Sequence, residues 1–142
     1  MTDHVTLEPA ALEFLALPHF ARLSTNGRDS YPHTVPIWYS VEAADDGSPS
    51  IWFISDRGSA KVRNAVADPK AAVAIGGEKD DAFGFLFRGT ITIEDDPQQV
   101  MTHRMIDRYE PGDRNAELRA LWQDDDIVVL RLHVERVTNV FS

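Results

Sequence analysis

Apolar residues recur at Leu7, Ala10, Ala11, Phe14, Leu15 and Leu17, a helical spacing that Pro18 ends. Beyond it the period changes. Runs rich in branched and aromatic side chains cover His19 to Thr25, Pro32 to Glu42, Ser50 to Ser55, Ala71 to Gly76, Phe83 to Glu94 and Ile127 to Phe141. Asn26-Gly27, Asp45-Asp46-Gly47-Ser48-Pro49 and Gly76 to Asp81 separate them as turns, so six strands are expected. In the last run Ile127, Val129, Arg131, His133 and Glu135 share one face and Val128, Leu130, Leu132, Val134 and Arg136 the other, the alternation of a half-buried strand. A short helix is expected from Ala60 until Pro69 forces its end. Two more, Pro97 to Tyr109 and Asp113 to Trp122, precede the last strand; the first carries Val100, Met101, Met105, Ile106 and Tyr109 along one side. No repeat or linker interrupts the chain. The pattern predicts a mainly β (α+β) fold, a six-stranded antiparallel barrel with an N-terminal helix and two helices before the last strand. Closing the sheet would remove its exposed edges.

Composition narrows the class. The 142 residues, 43% hydrophobic and 26% charged, suffice for one domain spanning 1–142 and not for two. The 23 acidic residues outnumber the 14 Lys and Arg, and the net charge of -9 disfavours nonspecific nucleic-acid binding, which needs basic residues to displace counterions. No apolar run reaches the roughly 18 residues of a membrane span. Met1-Thr2-Asp3-His4 lacks a basic start and an apolar signal core, so a cytoplasmic protein without membrane contact is expected. The absence of cysteine removes disulfides, thiol nucleophiles and sulfur-rich metal sites together.

The densest chemistry lies in Ser55-Asp56-Arg57-Gly58-Ser59-Ala60-Lys61-Val62-Arg63-Asn64, between a strand and a helix. Ser59 is a good N-cap, and Arg57, Lys61 and Arg63 crowd the first helical turn. That end of a helix already carries about +0.5 charge, so each added cation there costs roughly 0.3 to 1 kcal/mol. A bound phosphate would reverse these penalties by accepting the free N–H groups and neutralising the basic side chains. Pro36 interrupts the run His33-Thr34-Val35-Pro36-Ile37-Trp38-Tyr39-Ser40-Val41. A proline cannot donate to a ladder, so this position is an edge or a bulge, where a planar heterocycle with its own donors and acceptors would fit against Trp38. The five histidines show no metal spacing, Glu94-Asp95-Asp96 and Asp124-Asp125-Asp126 read as solvated turns, and there is no Gly-x-Ser-x-Gly elbow. The other tryptophans and phenylalanines read as core or interface.

Phe20-Ala21-Arg22-Leu23-Ser24-Thr25, Pro32-His33-Thr34-Val35-Pro36-Ile37-Trp38, Trp52-Phe53-Ile54-Ser55 and Gly58-Ser59-Ala60-Lys61-Val62-Arg63-Asn64 with Asp68-Pro69 follow one another in an informative order. The chain resembles the pyridoxamine 5'-phosphate oxidase-like split β-barrels, and within them the actinobacterial flavin/deazaflavin oxidoreductases that use coenzyme F420 or FMN. The resemblance covers most of the chain and is most specific from Pro32 to Pro69. It implies a homodimer with a cofactor at each end of the subunit interface. By position, Val35, Pro36, Ile37 and Trp38 would line the ring, Ile54 and Ser55 would border it, and Arg57, Ser59, Lys61, Arg63 and Asn64 would hold the phosphate side. Two departures stand out. Gly27-Arg28-Asp29-Ser30-Tyr31 is longer than the family's usual turn, and Ala65-Val66-Ala67 replaces the usual Leu-Arg-Arg, which removes basic residues that would hold an acidic deazaflavin tail.

The resemblance implies an oxidoreductase in which bound F420, or alternatively FMN, exchanges a hydride with a small conjugated organic substrate. The cofactor carries the redox chemistry, so no acid–base pair is required of the protein and no side-chain proton donor is assigned. Two other classes remain open: a cofactor carrier or sensor without turnover, and an interaction domain whose Arg57 to Arg63 cluster meets an acidic partner.

Overall fold

The computed structural model describes residues 6–43 and 48–141; the predicted turn residues Asp45 to Gly47 and the N-terminal Met1 to His4 lie outside them. Helix α1 (Pro9–Ala16) starts with Pro9 in its first turn and buries Ala11 and Leu15. Seven antiparallel strands follow: β1 (Ala21–Asn26), β2 (Pro32–Ile37), β3 (Ser40–Ala43), β4 (Pro49–Asp56), β5 (Lys70–Gly76), β6 (Gly84–Asp95) and β7 (Ile127–Asn139). Helix α2 (Ala60–Ala67) joins β4 to β5, while α3 (Val100–Tyr109) and α4 (Arg114–Trp122) lie between β6 and β7. Among the described residues no helix is long and apolar enough to cross a membrane.

The strand order is β2-β1-β5-β6-β7-β4-β3, a single open sheet of seven strands, so the expected six-stranded closed barrel is corrected in both number and closure. The extra strand comes from the run Pro32 to Glu42, which breaks at Trp38-Tyr39. Tyr39 is withdrawn from any ladder because side chains satisfy its backbone: its N–H donates to Tyr109 Oη at 3.2 Å, and its carbonyl accepts from Arg108 Nε at 2.8 Å. Its two flanking strands are thereby sent to opposite edges of the sheet. Only three Cα steps separate Ile37 from Ser40, so those edges approach within about 11 Å at this end. The sheet rolls up like a barrel yet stays split there.

Inside the roll, Leu23, Tyr39, Ile51, Phe53, Val73, Ile75, Phe87, Val128, Leu130 and Leu132 form the main core. A second, smaller core of Trp52, Met105 and Val129 lies between the sheet and α3. It explains why the first residues of β7 are buried on both faces where simple alternation was expected. Burying side chains of this size stabilises the fold by about 1.5–3 kcal/mol each. The predicted helix Pro97 to Tyr109 is also divided. Gln98 and Gln99 take positive φ of 62° and 54°, and α3 begins only at Val100. Asp96 accepts the N–H groups of Met101 and Thr102 at 2.9 and 2.8 Å and the Thr102 hydroxyl at 2.6 Å, so this carboxylate caps α3 where a solvated turn was expected.

Arg108 closes the architecture. Its guanidinium also donates to Leu15 O, Ala16 O and Leu17 O at 2.7–3.0 Å, the free carbonyls at the C-terminal end of α1, where the helix dipole favours a cation. Replacing Arg108 by Met removes four charged donor contacts at once, leaving Ala16 O without its donor and Leu15 O, Leu17 O and Tyr39 O with only their tyrosine or backbone donors, and should lower unfolding stability by about 2 kcal/mol or more in denaturant titrations. Arg104→Met, which removes a 3.6 Å pair with Glu42, a weak contact with the Met101 sulfur and a cation–π contact on Trp52, should cost under about 1 kcal/mol.

Candidate functional site

β4 leads directly into α2 through Arg57-Gly58, and Ser59 caps the helix, its Oγ accepting the Val62 N–H at 3.4 Å. The cap fixes the first turn and leaves its other leading N–H groups pointing outward. Ser59 Oγ is also 2.7 Å from Ser55 Oγ, which ties the turn to the end of β4. Asn64, one turn further on, is buried and donates to Thr25 Oγ1 at 3.1 Å, locking α2 against β1.

Beside this turn lies a cavity of about 470 Å³. One wall comes from Pro36, Ile37 and Trp38 at the end of β2, Ile54, Ser55 and Asp56 at the end of β4, Ile127 and the side chain of Lys61. The facing wall comes from Phe20, Glu110, Arg114, Leu118, Trp122 and Asp125. Pro36 lies on the edge strand β2, opposite Arg22. Trp38 is held by stacking: its ring lies 4.8 Å from that of Tyr109 at an interplanar angle of 3°, and Trp122 tilts against it at 6.2 Å. Tyr109 is itself fixed, because its hydroxyl donates to His19 O.

The sequence-predicted residues therefore divide. Pro36, Ile37, Trp38, Ile54, Ser55 and Lys61 share the cavity, and Ser59 adjoins it through Ser55. Val35 pairs with Leu23 within the β2–β1 ladder. Arg57 turns away from the cavity and grips Asp126 and Asp95 at 2.7 and 2.5 Å; Asp126 first and Asp95 second hold its guanidinium above its ordinary pKa. Arg63 donates to the Gly58 carbonyl, and Asn64 serves the α2–β1 contact. The facing wall was not singled out from sequence. Its only signal is the spacing of Arg114, Leu118 and Trp122, which looks like any amphipathic helix.

Lys61 is the cation that α2 presents to the cavity. It makes no hydrogen bond or ion pair among the described residues. Burial, opposed by the nearby Asp56 carboxylate, lowers its ammonium below the ordinary lysine value. Around it lie apolar surface, two hydroxyls and open helix N–H groups, an arrangement able to receive an anion with its charge countered. Among the described residues no three His, Asp or Glu side chains gather in a way that could hold a metal ion.

The family model described as pyridoxamine 5'-phosphate oxidase matches residues 7–141. Solved structures share the fold. A structure described as an F420 reductase is 20% identical, with 89% of this chain and 94% of that one covered and a TM-score of 0.69. A conserved hypothetical protein of Mycobacterium tuberculosis is 25% identical, over 98% of this chain and 87% of that one, with a TM-score of 0.70. A FAD-binding protein of Mesorhizobium loti is 18% identical, over 95% of both chains, with a TM-score of 0.60. No curated protein matches the chain.

With Lys61 depressed in the folded state and near 10.5 when unfolded, the unfolded chain binds more protons between the two values, so stability rises with pH across that window. Accordingly the ligand-free Lys61→Met variant should melt above the parent protein at pH 7, and the gap should narrow as pH rises toward 10. Melting temperatures of the two proteins followed between pH 7 and 10 check this.

Proposed function

We propose, for a chain that belongs to the pyridoxamine 5'-phosphate oxidase family, that it is a cytoplasmic F420-dependent oxidoreductase acting on a small conjugated organic substrate. The observation that carries this reading is Lys61, a partly desolvated, unpaired ammonium in the same cavity as the ring-stacked Trp38. The volume lies within the range of cofactor pockets, about 300–1,000 Å³. The residues present fit a phosphate-bearing tricyclic cofactor at two points. Lys61, Ser59 and the α2 N–H groups suit the phosphate, and Pro36, Ile37 and Trp38 offer a flat edge for the ring. When bound, such a cofactor accepts or delivers a hydride. The protein's own part is to neutralise the phosphate, orient the ring along β2 and exclude water with Ile54, Leu118 and Trp122.

One observation favours FMN as the second reading. The turn after Asn64 carries Ala65-Val66-Ala67, with Val66 72% exposed, so no basic side chain stands there for an acidic tail. A homodimer is part of the same proposal, supported by the family resemblance.

Titrating the purified, cofactor-free protein with F420 and with FMN, read by quenching of Trp38, Trp52 and Trp122, tests the reading. Saturable binding of either is expected, and the tighter one identifies the cofactor. Binding of neither overturns the proposal and favours an interaction domain. Turnover of an acceptor by the loaded protein separates an enzyme from a carrier. Because burial lowers the Lys61 ammonium, cofactor affinity should begin to fall below pH 10.5, and Lys61→Arg should move that fall to higher pH.

A further inference from the structure

We infer that the cavity wall formed by α4 receives an amphipathic organic monoanion, a conjugated carboxylate whose charged end meets Arg114 and whose body lies on Leu118 and Trp122. The inference deepens the proposed function by naming its substrate class, and it rests on the reading that a cofactor phosphate occupies Lys61.

Arg114, Leu118 and Trp122 are spaced i, i+4 and i+8 on α4, and all three line the cavity. That spacing puts them on one face and spreads them over about 12 Å of helix. Read along the axis, the face runs from cation to aliphatic to aromatic. Arg114 makes no hydrogen bond or ion pair among the described residues. Four neighbouring arginines are engaged elsewhere: Arg57 by Asp95 and Asp126, Arg63 by the Gly58 carbonyl, Arg108 by the end of α1, and Arg119 by Asp107 at 2.6 Å; Arg22, opposite Pro36, does not line the cavity. With Lys61 assigned to phosphate, Arg114 is the remaining cation on the lining.

The wall is held in place at both ends. Arg119 and Asn115 bind Asp107 of α3, and Gln99 Nε2 donates to Trp122 O and Asp125 O at 2.7 and 3.2 Å. A preformed face loses little entropy when a ligand settles on it.

Carboxylates on the lining set the ligand's orientation and charge. Asp125 follows the aromatic end and repels an anion placed there, which directs the charge toward Arg114. Glu110, four residues before Arg114, also lines the cavity without pairing to it, and Asp56 stands beside Lys61. With Lys61 assigned to phosphate, Arg114 is left to neutralise a single negative charge, and the lining acids disfavour a second one on the ligand. A planar carboxylate conjugated to an unsaturated bond satisfies the stripe, with the guanidinium gripping both oxygens.

The test compares cinnamate with its uncharged amide, cinnamamide, by calorimetric titration of the protein saturated with whichever cofactor binds. The parent protein should prefer the acid by about tenfold or more. Arg114→Gln should erase that preference while leaving amide and cofactor affinities unchanged. A parent protein that binds neither probe, or both equally, overturns the inference, and so does a preference that survives Arg114→Gln. If neither F420 nor FMN binds, the same titrations on the cofactor-free protein still decide. A preference lost in Arg114→Gln then upholds the α4 site while the cofactor reading fails, and one lost only in Lys61→Ala places the anion at α2 and overturns it.

Discussion

The guanidinium of Arg108 joins three pieces of chain that the strand ladders leave separate. It fills the carbonyl end of α1, takes the Tyr39 carbonyl out of any sheet, and lies over the rings of Tyr39 and Tyr109 at 5.0 and 5.6 Å. Tyr39 completes the knot from inside the core, its hydroxyl shared between Leu15 O and Leu17 O at 2.9 and 3.0 Å. Burial, and next the neighbouring Tyr109, push that phenol above its usual pKa, so it stays a neutral donor. Tyr109 carries the constraint outward: its oxygen accepts from Tyr39, and its ring supports Trp38. A buried network therefore ends on the aromatic surface of the cavity.

The cavity follows from the split in the sheet. Because Trp38-Tyr39 spans from one edge strand to the other, the roll cannot zip shut at that end, and the end of β2 and α4 both line the cavity there, touching where Trp38 meets Trp122. The charges sort themselves around the same gap. Cations with nearby carboxylates or carbonyls are consumed in holding the scaffold, as Arg57 holds the start of β7 to the end of β6 and Arg131 ties Glu94 to Glu42 at 2.8 and 3.0 Å. Lys61 and Arg114 face the cavity with no hydrogen bond or ion pair among the described residues, one on each wall. Their unspent charge is the chemical content of the site.

Much of this was legible in the chain. Strand periods placed the strands to within a few residues, with β2 and β3 read as one run, Ser59 and Pro69 bounded α2, and the residues from Pro36 to Lys61 named six of the eight on one cavity wall. The break at Trp38-Tyr39 was hidden, because two aromatic residues suit a strand and the groups that unseat Tyr39 lie 69 and 70 residues further on. Arg57 was hidden in the same way: its position beside Lys61 suggests a phosphate ligand, whereas the carboxylates that claim it come from 38 and 69 residues later. Local sequence reported the Ser59 cap and most strand positions, but not the Asp96 cap of α3 or the two-faced burial at the start of β7. It does not report which distant charge arrives first.

In the proposed function an anion binds at Lys61, and this charge, rather than the aromatic surface alone, anchors the cofactor. The most direct measurement is the affinity of the parent protein and of Lys61→Ala for FMN and for riboflavin, which has the same ring and no phosphate. The parent should bind FMN at least about tenfold more tightly, and the difference should collapse in the variant while riboflavin affinity holds. Equal affinity of the parent for the two ligands, or a preference for FMN that persists without Lys61, would contradict it.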